Sequence, residues 1–144
     1  MDRQTTNIAD IVSDFEFLDE WEDRYRYVIE LGRTLPPFPE EKRDDAHKVR
    51  GCASQVWFAF ERDGGEDPRL TFYGDSDAHI VRGLIAILLA LYSGRRASEV
   101  MAIDPEKVFG QIGLRDHLTA QRSNGLSAMV SRIRAEAETA AQPA

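Results

Sequence analysis

Residues 54–73 have the sequence SQVWFAFERDGGEDPRLTFY, and this stretch decides the fold class of the chain. Its two ends, 54–61 and 70–73, are rich in the β-branched and aromatic residues that favour strands. The segment between them, 62–68, holds two glycines, a proline and three acidic residues, a composition typical of turns. The pattern predicts an antiparallel hairpin with a long loop.

Helices are predicted on both sides of this hairpin. Apolar residues recur every three or four positions over 8–15 and again over 21–32, as expected of helices with one buried face. Residues 80–91 are apolar nearly all round, which predicts a central buried helix. A last helix is expected to begin at Ser123 or Asn124. The fold class is therefore α+β, a small antiparallel sheet of about three strands packed against helices.

Composition indicates one globular domain in a reducing compartment. The chain has 144 residues, 42% of them hydrophobic, so a single domain over 1–144 can bury a core without disulfides. Its single cysteine cannot form an intramolecular disulfide, which favours a cytoplasmic location. No apolar segment follows basic residues at the start, so no signal peptide is predicted. The longest apolar run, 84–91, is too short to cross a bilayer.

The net charge argues against nucleic acid as a partner. The formal charge is −7 and the pI is about 5.0, whereas phosphate contacts need clustered lysines and arginines. Three arginines near the C-terminus, Arg122, Arg132 and Arg134, alternate with acids or stand apart. They are expected to form a solvated helix face.

Cys52 is the candidate reactive residue. Gly51 before it suits a turn, and the first strand follows, so the cysteine is expected in a loop that enters a strand. A short third strand around 47–49 would place it at a turn between strands. The cations Lys48 and Arg50 are expected to lower the pKa of the thiol and to favour the reactive thiolate. Two acidic residues further upstream would partly oppose this effect.

Other interpretations of this cysteine stay open on residue type alone. Buried cysteines are often inert and pack as small hydrophobic residues. A metal site of Cys52, His47 and Asp75 can be imagined, but the spacing matches no known signature, so no metal is predicted. A Cys–His pair for acyl transfer would use His47 as the base and would need an oxyanion hole and a group that orients the base.

Several longer motifs occur in an order that matches a known family. They are 49–57 (VRGCASQVW), 74–78 (GDSDA), 83–86 (GLIA), 91–94 (LYSG), 117–119 (HLT) and 122–126 (RSNGL). Together they resemble SufE proteins, the sulfur acceptors of iron–sulfur cluster assembly. The match covers about 8–138, the expected ordered part of the domain. The resemblance implies a fold like that of IscU-type scaffold proteins, in agreement with the α+β class.

The resemblance implies a sulfur carrier and not an enzyme that acts alone. A pyridoxal-phosphate cysteine desulfurase of the SufS type would take sulfur from free cysteine, and the Cys52 thiolate would accept it as a persulfide. The carrier would stimulate that desulfurase and deliver sulfur to a scaffold complex of the SufBCD type, without binding a cofactor itself. Neither nucleic acid nor a membrane is an expected partner. A monomer and a homodimer are both compatible with this role.

The resemblance also indicates supporting positions around the cysteine. Arg50 and Gly51 lie in the cysteine motif itself. Asp75 lies in the Gly-Asp-Ser-Asp motif, where it is also expected to cap a helix. Arg122 matches a family arginine that could face the desulfurase or could tie down the cap of the last helix. His47 departs from the family pattern, in which asparagine is usual, so a histidine base is not implied.

Burial of the thiol is a further expectation. Cys52 is expected to rest partly buried against Trp57 or the central helix, because exposed thiolates oxidise easily, and its loop would swing out on docking. Two other function classes stay open. A thiol-dependent hydrolase would turn over a small substrate alone, and a regulatory binder would stimulate the desulfurase even with Cys52 replaced by serine.

Overall fold

The computed structural model describes residues 7–141, and within them the sheet holds three antiparallel strands. The strands are β1 (Val56–Arg62), β2 (Arg69–Ser76) and β3 (Arg95–Arg96), and they lie in the order β1-β2-β3. β1 pairs with β2 along its whole length, and Trp57 lies opposite Asp75. The predicted hairpin is confirmed.

The third strand does not lie where the sequence suggested. Residues 47–49 overlap a 3₁₀ turn, Asp45–His47, and make one isolated bridge, from Lys48 to Trp57. β3 instead follows the central helix and pairs with the start of β2. Arg95 and Arg96 are not among the β-branched and aromatic residues that favour strands, so the strand forms because the chain returns against β2.

β2 is longer than the predicted strand, which ended at Tyr73. Gly74 and Asp75 continue the strand instead of forming a turn before a helix. The reason is a close approach, because a Cβ at Gly74 would lie 2.6 Å from the Cγ2 atom of Ile85. The glycine therefore lets the strand lie directly on the central helix.

The described residues form α1 (Ile8–Phe17), α2 (Trp21–Gly32), α3 (His79–Tyr92), α4 (Ala97–Ala102), α5 (Pro105–Ile112) and α6 (Ala120–Ala141). α3 is the predicted central helix and packs against both α2 and β2. Its side chains Ile85, Ile87 and Leu88 are completely buried, and burial of each such side chain contributes about 1.5–3 kcal/mol. Among the helices of residues 7–141, none is long and apolar enough to cross a membrane.

α6 begins earlier than predicted. The helix starts at Ala120, and the Thr119 hydroxyl accepts a hydrogen bond from the Arg122 amide at 3.1 Å, as a capping residue does. Ser123 lies inside the helix, where its carbonyl and hydroxyl oxygens accept from Arg115 Nη1 at 3.0 and 2.7 Å. The serine hydroxyl is engaged by this arginine from a neighbouring segment, which the local sequence pattern cannot show.

Candidate functional site

Cys52 lies in the cysteine loop, residues 50–54, which leads into β1. Hydrogen bonds of backbone amides hold both ends of this loop. At its start, the Val49 amide donates to the Val56 carbonyl at 2.8 Å. At its end, the Gln55 amide donates to Asp77 Oδ1 at 3.1 Å, and the Asp77 amide donates back to the Gln55 carbonyl at 3.3 Å. The loop is therefore closed at its base, with the cysteine near its middle.

Gly51 turns this loop towards α6. Its φ of +90° lies in the region that glycine adopts readily and other residues avoid. A Cβ at this position would also come within 3.2 Å of the Cβ of Ala128 on α6. The turn predicted at Gly51 is confirmed, and both the backbone angle and the contact favour glycine there.

The thiol of Cys52 rests on α6. Its Sγ lies 3.6 Å from the carbonyl oxygen of Gly125, and the side chain is half-buried. A Cβ at Gly125 would lie 3.6 Å from the sulfur, so the glycine leaves a gap of about one methyl group beside the thiol. Burial is partial, as expected, and the last helix, which the sequence prediction did not name, provides the contact with the sulfur.

A pocket of about 190 Å³ adjoins the thiol. The loop forms its rim, α3 contributes Val81 and Leu84, and α6 contributes Arg122 and Met129. The central helix is therefore a wall of the pocket, whereas Trp57 does not line it. The pocket is apolar on its α3 side and carries a cation on its α6 side.

Burial raises the pKa of the Cys52 thiol above its ordinary value, because the ionised form loses hydration. The sequence predicted the opposite shift from the neighbouring cations Lys48 and Arg50. That prediction was wrong, because desolvation of the half-buried thiol decides the direction of the shift, and the charge of the exposed Arg50 is screened by water and salt. The folded chain therefore holds the free thiol in its protonated form at neutral pH.

Arg122 is the predicted supporting residue that the structure brings to the cysteine. It lines the same pocket as Cys52, and its Nη1 donates to the hydroxyl of Tyr25 at 3.4 Å. This hydrogen bond is long, so the guanidinium is weakly held from the α2 side. A positive charge is thus available beside the thiol.

His47 is engaged away from the pocket. Its Nδ1 lies 2.7 Å from Asp44 Oδ1, and its amide donates to the same oxygen at 3.0 Å. The hydrogen bond with the histidine ring lowers the pKa of the Asp44 carboxyl. Since His47 does not line the pocket, the geometry does not support it as a base for Cys52.

Asp75 belongs to a different cluster. Its Oδ2 accepts from Arg43 Nη1 at 2.9 Å, and its Oδ1 lies 3.2 Å from Arg82 Nε. The Arg43 guanidinium also covers the rings of Trp57 and Phe38, at 5.0 and 5.2 Å from their centres. Asp75 does not cap α3, because β2 continues past it. It ties the segment before the cysteine loop to the sheet and to α3.

Sequence reasoning missed the role of Arg132. This residue was expected on a solvated helix face, yet its guanidinium donates to the carbonyls of Lys48 and Ala46, both at 3.1 Å. Arg134 is bound in the same manner to two carbonyls at the end of α4. The signal that could have found Arg132 is helical spacing, since positions 125, 128 and 132 share one face of α6.

Fold and site together define a class: an α+β domain that presents one half-buried thiol, on a loop, at the mouth of a small pocket. Among residues 7–141, no group of three or more His, Cys, Asp or Glu side chains is arranged to hold a metal ion. The chain belongs to the SufE family, because the family model for SufE, described as an Fe-S metabolism associated domain, matches residues 9–137.

Similar proteins agree with this family. A SufE-like protein of Rhizobium meliloti is 60% identical over 134 residues, which cover 92% of this chain and 96% of that protein. The sulfur acceptor protein CsdE of Escherichia coli is 41% identical over 119 residues, 83% of this chain and 80% of CsdE. The solution structure of a hypothetical protein from Thermus thermophilus matches with a TM-score of 0.74 at 22% identity, over 92% of this chain and 94% of that one. This last match bears on the fold alone.

Proposed function

We propose that this protein accepts sulfur from a cysteine desulfurase on Cys52, holds it as a persulfide and delivers it for iron–sulfur cluster assembly. The observation that carries this proposal is the chain's single cysteine, on a loop pinned at its ends, beside a pocket of about 190 Å³. A carrier needs one nucleophilic sulfur, space for a second sulfur atom and no resolving cysteine. Membership of the SufE family and the similarity to a protein named as a sulfur acceptor support the same role.

The transfer is a thiol exchange that needs no external oxidant. The Cys52 thiolate attacks the outer sulfur of a persulfide on the desulfurase, and a new sulfur–sulfur bond forms. The bond between the two sulfurs of the partner breaks, and its electron pair leaves with the partner's thiolate. Cys52 then carries the persulfide, and a second exchange of the same kind passes the outer sulfur to the acceptor.

Burial of the thiol suits a carrier that reacts with one partner. A protonated, half-buried thiol is a poor nucleophile and is slow to oxidise, so Cys52 is protected in the free protein. Docking of the desulfurase would draw the loop out of its contact with Gly125 and expose the sulfur. A SufS-type desulfurase with pyridoxal phosphate, a SufBCD-type scaffold and a cytoplasmic location complete the proposal.

Arg122 has a direct part in this proposal. Its guanidinium lines the pocket, where the outer sulfur of a Cys52 persulfide would sit as an anion. A cation beside that sulfur favours the ionised form and would stabilise the loaded carrier. Because the hydrogen bond to Tyr25 is long, the side chain is also free to contact the desulfurase.

The test is the intact mass of the protein after incubation with a cysteine desulfurase and cysteine. We expect a gain of one sulfur atom that reductant removes and that Cys52→Ser abolishes. No gain, with desulfurase turnover still stimulated by both proteins, would make the protein a regulatory binder. Turnover of a small thioester or amide by the protein alone would indicate a hydrolase, which the position of His47 outside the pocket does not favour.

A further inference from the structure

One face of α6 contacts both the cysteine loop and the segment just before it. Gly125 contacts the thiol, Ala128 lies against Gly51, and Arg132 binds the segment just before the loop. These three positions follow each other at intervals of three and four residues, so they lie in one row along the helix. The position of the cysteine therefore depends on how firmly this row holds the loop.

Arg132 makes the strongest of these contacts. Its Nη1 donates to the Lys48 carbonyl and its Nη2 to the Ala46 carbonyl, each at 3.1 Å. Glu136, one turn further along α6, lies 3.7 Å from its Nε and helps to orient the guanidinium. Hydrogen bonds from a charged donor are about twice as strong as those between neutral groups, and the planar guanidinium can hold two carbonyls at once.

The two carbonyls lie where the loop begins. Lys48 makes the bridge to Trp57, and the pinned amide of Val49 follows directly. Residues 50–54 follow, and within the described part of the chain their one hydrogen bond is the weak contact between Cys52 and Gly125. The loop is thus held by hydrogen bonds at both ends and by few in between. Arg132 binds the segment at its upstream end to α6, the same helix that covers the thiol.

We propose that Arg132 is a positioning residue that keeps Cys52 seated on α6 and so sets how readily its sulfur becomes accessible. The part of this inference that concerns sulfur uptake rests on the proposed function. Arg132 acts through the backbone of residues 46–48, because its polar contacts are with those carbonyls and with Glu136, not with the thiol.

Arg134 provides a matched control on the same helix. Its Nη1 donates to the Ile103 carbonyl at 2.9 Å and its Nη2 to the Met101 carbonyl at 3.1 Å. Each arginine therefore extends from α6 and binds two backbone carbonyls, but only Arg132 binds the segment before the cysteine loop. We therefore expect loss of Arg134 to lower stability by an amount similar to loss of Arg132 while leaving the loop in place.

The experiment measures alkylation of Cys52 by iodoacetamide in the isolated full chain, across a range of pH, for wild type, Arg132→Met, Arg132→Lys and Arg134→Met. We expect Arg132→Met to react about tenfold faster than wild type at neutral pH, because two charge-assisted hydrogen bonds that hold the start of the loop on α6 are lost. Its rate profile is expected to shift to lower pH, since a released thiol regains hydration. Arg132→Lys, which can reach one carbonyl, is expected to be intermediate, and Arg134→Met to match wild type.

Urea unfolding midpoints accompany each rate, so that a faster reaction through global unfolding is recognised. Equal rates and pH profiles for Arg132→Met and Arg134→Met would overturn the proposal. If Arg132→Met does not fold, the same comparison between Arg132→Lys and Arg134→Lys decides it. Sulfur uptake from a desulfurase is measured in parallel. If wild type itself gains no sulfur, the proposed function fails, while the alkylation rates still decide the role of Arg132.

Discussion

The sulfur of Cys52 lies 3.6 Å from the carbonyl oxygen of Gly125, so the loop and the last helix meet at the atom on which the proposed chemistry depends. Glycine in a helix interior is costly, at about 0.8–1 kcal/mol relative to alanine. Gly125 is buried in α6 in spite of this cost. Its small size leaves space beside the thiol, so the residue that weakens the helix also provides room at the sulfur.

Gly125→Ala should stabilise the protein and slow the reactions of Cys52. The added methyl group would make ordinary contacts, at 3.6 Å from Sγ, so we expect the free energy of unfolding to rise by up to about 1 kcal/mol. The same methyl group covers the sulfur, so alkylation and sulfur uptake should both slow. Urea unfolding and intact mass measure the two effects.

Gly110→Ala on α5 is the control for this substitution. No heavy atom outside its helix lies within 4 Å of a Cβ placed there, so the helix gains stability without any effect at the cysteine. Equal sulfur uptake by the two alanine variants would contradict the role given to the gap at Gly125.

The pH dependence of Cys52 follows from its burial. The folded pKa of the thiol is raised, so the unfolded chain ionises first, from about pH 8.5 upward. The contribution of the protonated thiol to stability is complete below that pH and declines as the pH rises towards the folded pKa. We expect urea unfolding to show this decline in wild type and not in Cys52→Ser.

The same shift should appear in the alkylation rate. The midpoint of the rate profile is expected at higher pH in the folded protein than in the urea-unfolded chain. The charge of Arg122 in the pocket lining would oppose this shift, as would Lys48 just before the loop and Arg50 within it. A folded midpoint at or below the unfolded one would mean that these cations outweigh burial.

Gly51→Ala should displace the cysteine. The backbone angle of +90° is strained for alanine, and its Cβ would lie only 3.2 Å from the Cβ of Ala128, so we expect a loss of about 1 kcal/mol or more of stability. Alkylation of Cys52 should change at the same time. Gly65→Ala separates the two causes, because Gly65 has a φ of +106° but no heavy atom within 4 Å of a Cβ. That variant should lose stability and keep the wild-type alkylation rate.

Asp75→Asn should loosen the segment before the loop. The carboxylate binds Arg43 and lies at ion-pair distance from Arg82, with 19% of its side chain exposed. We expect a loss of about 1–2 kcal/mol, since a charged hydrogen bond is lost but part of the site is solvated. Glu30→Gln, which breaks the exposed pair with Arg33, should change the unfolding midpoint little. Similar unfolding midpoints for the two variants would show that the ion pairs of Asp75 contribute no more to stability than an exposed surface pair does.

Arg122→Met should remove the positive charge from the pocket. For each protein, the alkylation rate with the anionic reagent iodoacetate is divided by the rate with neutral iodoacetamide. We expect this ratio to be higher for wild type than for Arg122→Met. Sulfur uptake should fall, while stability changes by less than about 0.5 kcal/mol, because the bond to Tyr25 is long. An unchanged ratio of the two rates would show that the guanidinium does not act on the thiol.

The fold class could be predicted because its signals are local. The hairpin depends on strand-forming residues around a turn, and α3 depends on an apolar run, so each is visible within about twenty residues of sequence. β3 could not be predicted, since Arg95 and Arg96 form a strand only because the chain returns against β2. The start of α6 was misplaced for a different reason, because several neighbouring polar residues can cap a helix and Thr119, not Ser123 or Asn124, does so.

For the site, the sequence by itself determined which sulfur is available and that a glycine turn presents it, since the chain has one cysteine and Gly51 precedes it. Only the tertiary structure decided the environment of that sulfur. Its contact with Gly125 and the hold of Arg132 on the loop join residues more than seventy positions apart in the chain. Burial against such distant residues reversed the pKa shift expected from the nearest cations, because desolvation acts on the folded side chain, whereas the charge of the exposed Arg50 is screened by water.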